Sequence, residues 1–170
     1  MVGAWAAWGW ARGRRRRNRT LEAMHSHVCG FGNGERLIAI DAEWDVTVNP
    51  LGMVSSAGKV QLLQLGYIEA NNKPMALLLG LRGNQTLPRA ILALLEDPTL
   101  TFIGRDVGGD LAKLGRDFNC AASVIHARKV ELDTMAKERG VATGRQHTLA
   151  RLAELTLRIS LDKDPTVHMS

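Results

Sequence analysis

Cysteine is nearly missing from this chain of 170 residues: Cys29 and Cys120 stand alone, with no C-x-x-C pair. That argues against a disulfide framework and a structural zinc site, and it fits a reducing, intracellular compartment. Long apolar runs are missing as well. The longest, such as Met75 to Leu79, fall far short of the ~20 residues that a membrane-spanning helix needs, so a soluble protein with no membrane partner is expected. Acidic residues are absent before Glu22. This skews the charge: residues 1–34 hold six Arg and one Glu, which accounts for the whole net charge of +5, while residues 35–170 balance sixteen basic against sixteen acidic residues.

The chain thus divides into an arm, residues 1–34, and one domain, residues 35–170, whose size and 45% hydrophobic composition allow a sizeable core. In the arm, Trp5, Trp8 and Trp10 precede Arg12, Arg14 to Arg17 and Arg19. No hydrophobic period would let it pack, so it is expected to be disordered. Three readings stay open: a solvated tail, an Arg block that directs the chain to the nucleus or grips nucleic-acid phosphates while tryptophans stack on bases, or an organelle transit peptide. Three tryptophans and few serines weigh against transit. The nucleus is therefore expected ahead of the cytoplasm or an organelle.

The domain is organised around Leu37-Ile38-Ala39-Ile40-Asp41-Ala42-Glu43-Trp44, an apolar run that ends in two carboxylates. Read as a buried strand, it points Asp41 and Glu43 to the same side. Like charges brought together need a cation, a shared proton or water. A hard divalent ion is the functional reading, because Mg²⁺ and Mn²⁺ prefer oxygen ligands; a solvated strand exit is the plain one.

Asp45 to Gly58 contains Pro50, Gly52, Ser55 and Ser56, which predicts a long loop. Lys59 to Ile68 reads as a second strand, covered on both faces, and Pro74 to Leu79 as a third. Together these three form an antiparallel meander. Between Pro88 and Pro98, Ile91, Leu94 and Leu95 have helical spacing. Leu100 to Ile103 makes a short fourth strand, and Leu111, Leu114 and Phe118 mark the buried stripe of the helix after it. Asp110 falls near that helix's N-terminus, where a carboxylate is favoured by the dipole, and Asp106 is placed as its N-cap. Val130 to Leu132 is a fifth strand, with Asp133 either capping the next helix or binding metal, and Thr148 opens the last helix. The class is α/β, a mixed sheet of five strands flanked by helices. If the first and fourth strands are neighbours, Asp41, Glu43 and Asp110 share a pocket.

Three stretches, Ile40-Asp41-Ala42-Glu43-Trp44, Gly58-Lys59-Val60-Gln61-Leu62-Leu63-Gln64-Leu65, and Phe102-Ile103-Gly104 running to Asp110-Leu111-Ala112-Lys113-Leu114, together resemble the 3′–5′ exonuclease domain of the ribonuclease D and Werner-syndrome type, within the DEDD superfamily. The order and spacing of these stretches are more specific than any one of them. The resemblance implies a ribonuclease H-like fold, Asp41 and Glu43 as metal ligands of a first motif, and Asp110 as that of a second. It also implies two divalent ions, Mg or Mn, and hydrolysis of phosphodiester bonds from the 3′ end of single-stranded DNA or RNA.

The family's third motif, a Tyr or His four residues before a final Asp, is missing. Asp164 and His168 have the spacing in reverse order, with Pro165 between them, and His126 and His147 are followed four residues later by Val130 and Arg151. The chain therefore looks like a fragment, a truncated product or a degenerate member. Impaired hydrolysis is expected, with a binding module that lost its chemistry as the alternative.

Overall fold

The structure, a computed structural model, describes residues 8–10, 30–31, 35–68, 72–144 and 147–161. The bulk of the arm and the tail with Asp164 and His168 lie outside the described residues. Two short pieces of the arm are described, β1 (Trp8–Trp10) and β2 (Gly30–Phe31). The domain supplies β3 (Glu35–Val48), β4 (Val54–Ile68), β5 (Pro74–Gly80), β6 (Leu100–Gly104) and β7 (Arg128–Glu131).

These five domain strands form the expected mixed sheet. Its order is β1-β5-β4-β3-β6-β7, with β2 beside the start of β3. Pairing is antiparallel along β3, β4 and β5, and parallel from β3 to β6 and from β6 to β7. The first and fourth domain strands, β3 and β6, are therefore neighbours. The helices are α1 (Arg89–Glu96), α2 (Val107–Asp117), α3 (Ala121–Ile125), α4 (Leu132–Glu138) and α5 (Leu149–Leu157).

Strand alternation decides where the core lies. Ile38, Ile40 and Ala42 are buried on one face of β3, while Ala39, Asp41 and Glu43 between them are exposed on the other. The buried face joins Val60, Leu63 and Leu65 of β4 to the apolar sides of α1, α2 and α3 in one cluster. Each aliphatic side chain fully buried there stabilises the fold by about 1.5–3 kcal/mol. A smaller cluster of Ala136, Ala142 and Leu152 joins α4 to α5. β4 is central in the sheet, yet only its Val60, Leu63 and Leu65 side is fully buried; Leu62, Gln64, Gly66 and Ile68 are half-buried. This corrects the expectation that both faces are covered.

The loop expected from Asp45 to Gly58 is instead the far end of a β3–β4 hairpin. Pairing continues through Val46 with Ala57, Thr47 with Ser56 and Val48 with Val54. The turn is confined to Asn49–Met53, where the Asn49 side chain accepts hydrogen bonds from the Leu51 and Met53 N–H groups at 3.0 Å and Gly52 supplies a positive φ of 75°. Cross-strand pairing overrides the turn preference of Ser55, Ser56 and Gly58.

Candidate active site

The site begins where β3 leaves the core. Asp41 pairs with Gln64 and Glu43 with Leu62 across β4, and the Gln64 amide donates to Asp41 Oδ2 at 3.2 Å. Beside β3, β6 ends at Gly104. A Cβ added there would lie 2.6 Å from the Ile40 carbonyl oxygen, so only glycine lets the chain pass this close to the residue before Asp41.

From Gly104 the chain turns through Arg105 and Asp106 into α2. Asp106 occupies the N-cap position with a left-handed backbone (φ 62°) but makes no side-chain capping bond, which corrects the expected role. The cap comes from β7 instead: the Glu131 carboxylate accepts from the Asp106 N–H at 2.8 Å and the Gly108 N–H at 3.0 Å. An acid at this end also complements the helix dipole.

Capped in this way, α2 presents Asp110 in its first turn. The side chain is 5% exposed, and the backbone N–H of Ala42, the residue between Asp41 and Glu43, favours its charged form. Asp110 Oδ2 is buried with no hydrogen-bond partner. The three acids singled out in the sequence therefore act on one another. Loss of water raises Asp110 most, the charges of Asp41 and Asp106 raise it further, and the carboxyl is pushed up to about 7. Asp41 is also raised by loss of water, against the pull of the Ala42 N–H, and Glu43 by loss of water and then by the charge of Asp41. Both are exposed by area, so the cause is the protein wall beside them rather than full enclosure.

Further down α2, Lys113 and Asp117 tie the helix to the hairpin. Lys113 Nζ donates to the Gly58 carbonyl at 2.6 Å and pairs with Asp117 at 2.5 Å. It lies 5.4 Å from the centre of the Trp44 ring, and Asp117 accepts from the Val60 N–H at 2.9 Å. One helix thus carries Asp110 and also grips the strand pair that carries Asp41 and Glu43. Sequence reasoning missed Gln64, Glu131 and this clamp. Gln64 is legible only once the β3–β4 register is known, whereas Lys113 stands one helical turn beyond Asp110 and was open to that reading.

An all-oxygen donor set with an orphaned carboxylate oxygen suits a hard divalent cation. Among the described residues, no three His, Cys, Asp or Glu side chains already stand at the mutual spacing of a closed metal cage. Asp133 belongs to neither the site nor a cap. Glu131 takes the N-cap position of α4, and Asp133, in the first turn, accepts from Lys137 Nζ at 2.6 Å and the His147 N–H at 3.0 Å, with His147 Nδ1 at 2.8 Å.

The fold agrees with that of solved structures. The EXD2 exonuclease domain covers 92% of this chain and 72% of its own, with a TM-score of 0.52 at 22% identity. The fold is that of this exonuclease domain. A second structure, Brucella melitensis NrnC with bound Mg²⁺, covers 75% of this chain and 56% of its own, with a TM-score of 0.54 at 20% identity. In sequence, the 3′–5′ exonuclease of Drosophila mojavensis is 28% identical over 134 residues, 78% of this chain and 38% of that protein. The 3′–5′ exonuclease of Drosophila willistoni is 29% identical over the same length and is covered to 35%. The chain thus spans little more than a third of the curated relatives it matches. No family model matches it.

Proposed function

We propose that this domain is a metal-dependent 3′–5′ exonuclease that removes nucleotides from the 3′ end of a single-stranded nucleic acid. The observation that carries this reading is the meeting of Asp110, from the first turn of α2, with the Asp41 and Glu43 end of β3. The similarity to proteins named 3′–5′ exonuclease supports it, as does the likeness to exonuclease domains soaked with Mn and with Mg and GMP.

Asp41, Glu43 and Asp110 are the groups that would hold Mg²⁺ or Mn²⁺. Two such ions would activate a water and stabilise the leaving oxygen of a phosphodiester. The chain's own residues prepare the place. Gln64 fixes the orientation of Asp41, Glu131 fixes the start of α2, and the Lys113–Asp117 clamp fixes the strand pair against that helix. Asp110, half-protonated near neutral pH, gives up its proton once positive charge stands beside it. The Arg run from Arg14 to Arg17 is proposed to carry the chain to the nucleus and to add phosphate contacts.

Calorimetry tests the site directly: Mn²⁺ should bind, and Asp41→Asn and Asp110→Asn should each weaken it more than about tenfold, a loss of roughly 1.4 kcal/mol. Equal affinity in all three proteins would sink the shared site. Hydrolysis of a 5′-labelled oligonucleotide should be slow and stepwise, stop when the 3′ end is blocked, and vanish in Asp41→Ala. Internal cutting of the blocked strand would show a different nuclease.

A further inference from the structure

Next to Glu43 the β3–β4 pairing slips. Glu43 faces Leu62 and Trp44 faces Val60, which leaves Gln61 as an extra residue on β4. Such a bulge bends the strand and re-aims its side chains. Here the Gln61 amide turns to the Asp45 carboxylate, and its carbonyl accepts from the Leu81 N–H at 2.7 Å in the turn after β5. Between bulge and turn lies a cavity of about 190 Å³, lined by Lys59, Val60, Gln61, Leu81, Arg82 and Asn84.

The chemistry of this cavity is one-sided. Two cations and two amides line it, and no acid does. Arg82 has no carboxylate partner among the described residues. The Lys59 ammonium rests over the Phe118 ring, 5.9 Å from its centre, a contact that leaves its hydrogen-bond donors free. The volume is below the roughly 300–1,000 Å³ of pockets that enclose a drug-sized molecule, so the cavity admits one charged group rather than a whole ligand. Residues 35–170 are electrically balanced. Phosphates must therefore be held in this domain by local unpaired cations rather than by a general field.

Placement identifies the anion. Glu43 pairs with Leu62, and Leu62 with Gly80, two residues before Arg82. At about 4.8 Å between strands, the cavity lies on the order of 10 Å from Glu43, where β5 ends beside the β4 bulge. We propose that this cavity binds a backbone phosphate of the strand whose 3′ end lies at Asp41, Glu43 and Asp110. Lys59 and Arg82 supply charge and donors, with Asn84 as a neutral donor. The proposal rests on the exonuclease reading.

Fluorescence anisotropy on the full chain, with a labelled single-stranded oligonucleotide in EDTA across a salt series, measures this contact without turnover. The Lys59→Gln/Arg82→Gln double variant should bind more weakly at low salt, with a log–log salt slope shallower by about 0.7, as expected for one lost phosphate contact on a single strand. Lys129→Gln, an exposed charge change on β7 at the other side of the sheet, should keep the wild-type slope. A wild-type slope in the double variant, or an equal loss in Lys129→Gln, overturns the proposal. Hydrolysis with Mn²⁺, assayed in parallel, tells the two ideas apart: cleavage by wild type with no change of slope removes the phosphate site alone, whereas no cleavage by wild type removes the exonuclease reading itself.

Discussion

Asp110 and Asp133 are the same residue in nearly the same local setting, the first turn of a short helix entered from a parallel strand, and both are buried at 5% and 7% exposure. Their surroundings are opposite. Asp133 is surrounded by donors from Lys137 and His147, which hold its carboxyl down to about 2. Asp110 has a bare oxygen and faces other acids, and it is pushed up to about 7. A buried carboxylate whose partners are all present is a structural tie, whereas one left short of partners is poised for a ligand. Helix position alone does not separate the two cases.

The largest effect should come from Asp110→Asn. The folded wild-type carboxyl binds its proton more tightly than the ordinary value of 3.8 allows, so its contribution to stability is full below that value and is lost as pH rises through about 7. Asparagine never ionises. The variant should therefore gain on wild type from about pH 4 to pH 7, by as much as about 4 kcal/mol, and keep that gain above. Urea unfolding in EDTA at both ends of this range measures the difference, and a variant no more stable than wild type at the alkaline end would erase the contrast with Asp133.

Metal should narrow this gap. At a hundredfold excess over its dissociation constant, Mn²⁺ should stabilise wild type by about 2.7 kcal/mol and Asp110→Asn far less. Because protons compete for Asp110, Mn²⁺ affinity should fall as the pH drops below about 7; calorimetric titration at two pH values checks this.

Asp133→Asn should act with the opposite sign. A carboxyl held below its ordinary value contributes stability above that value and loses it as pH falls toward 2, so the variant should be weaker than wild type at neutral pH and equal to it in strong acid. His147→Ala should move the Asp133 titration upward, as read by carboxyl NMR shifts. An Asp133 that titrates in the usual range in wild type would break the comparison from its other side. The smallest effect belongs to Glu131→Ala, which removes the cap of α2 and should cost about 1 kcal/mol in urea unfolding, with Glu131→Gln costing less.

Much of this was legible in the sequence. The apolar run before Asp41, the Ile91, Leu94 and Leu95 stripe, and the Leu111, Leu114 and Phe118 stripe are periodic over enough residues to place β3, α1 and α2, and the condition set for the three acids to meet, that the first and fourth strands be neighbours, holds. What escaped was set by distant partners. The hairpin beyond Asp45 holds its form by cross-strand pairing that no local propensity reveals, and α2 is capped by a residue 23 positions downstream. Asp133 read as a cap because its own neighbours look like a helix start; its ties to His147 form only when the chain returns.

The close pass at Gly104 has a consequence for how variants of this chain would be understood. Since a single methyl there would press on the Ile40 carbonyl, a Gly104→Ala change would lever β6 away from β3 and carry the start of α2 with it. The strand pair and the helix would each survive, and every acid would still be present in the sequence. The tolerance of the site is thus set by an atom that is not there. Damage at that point would mimic loss of a metal ligand in an assay while leaving all three carboxylates in place.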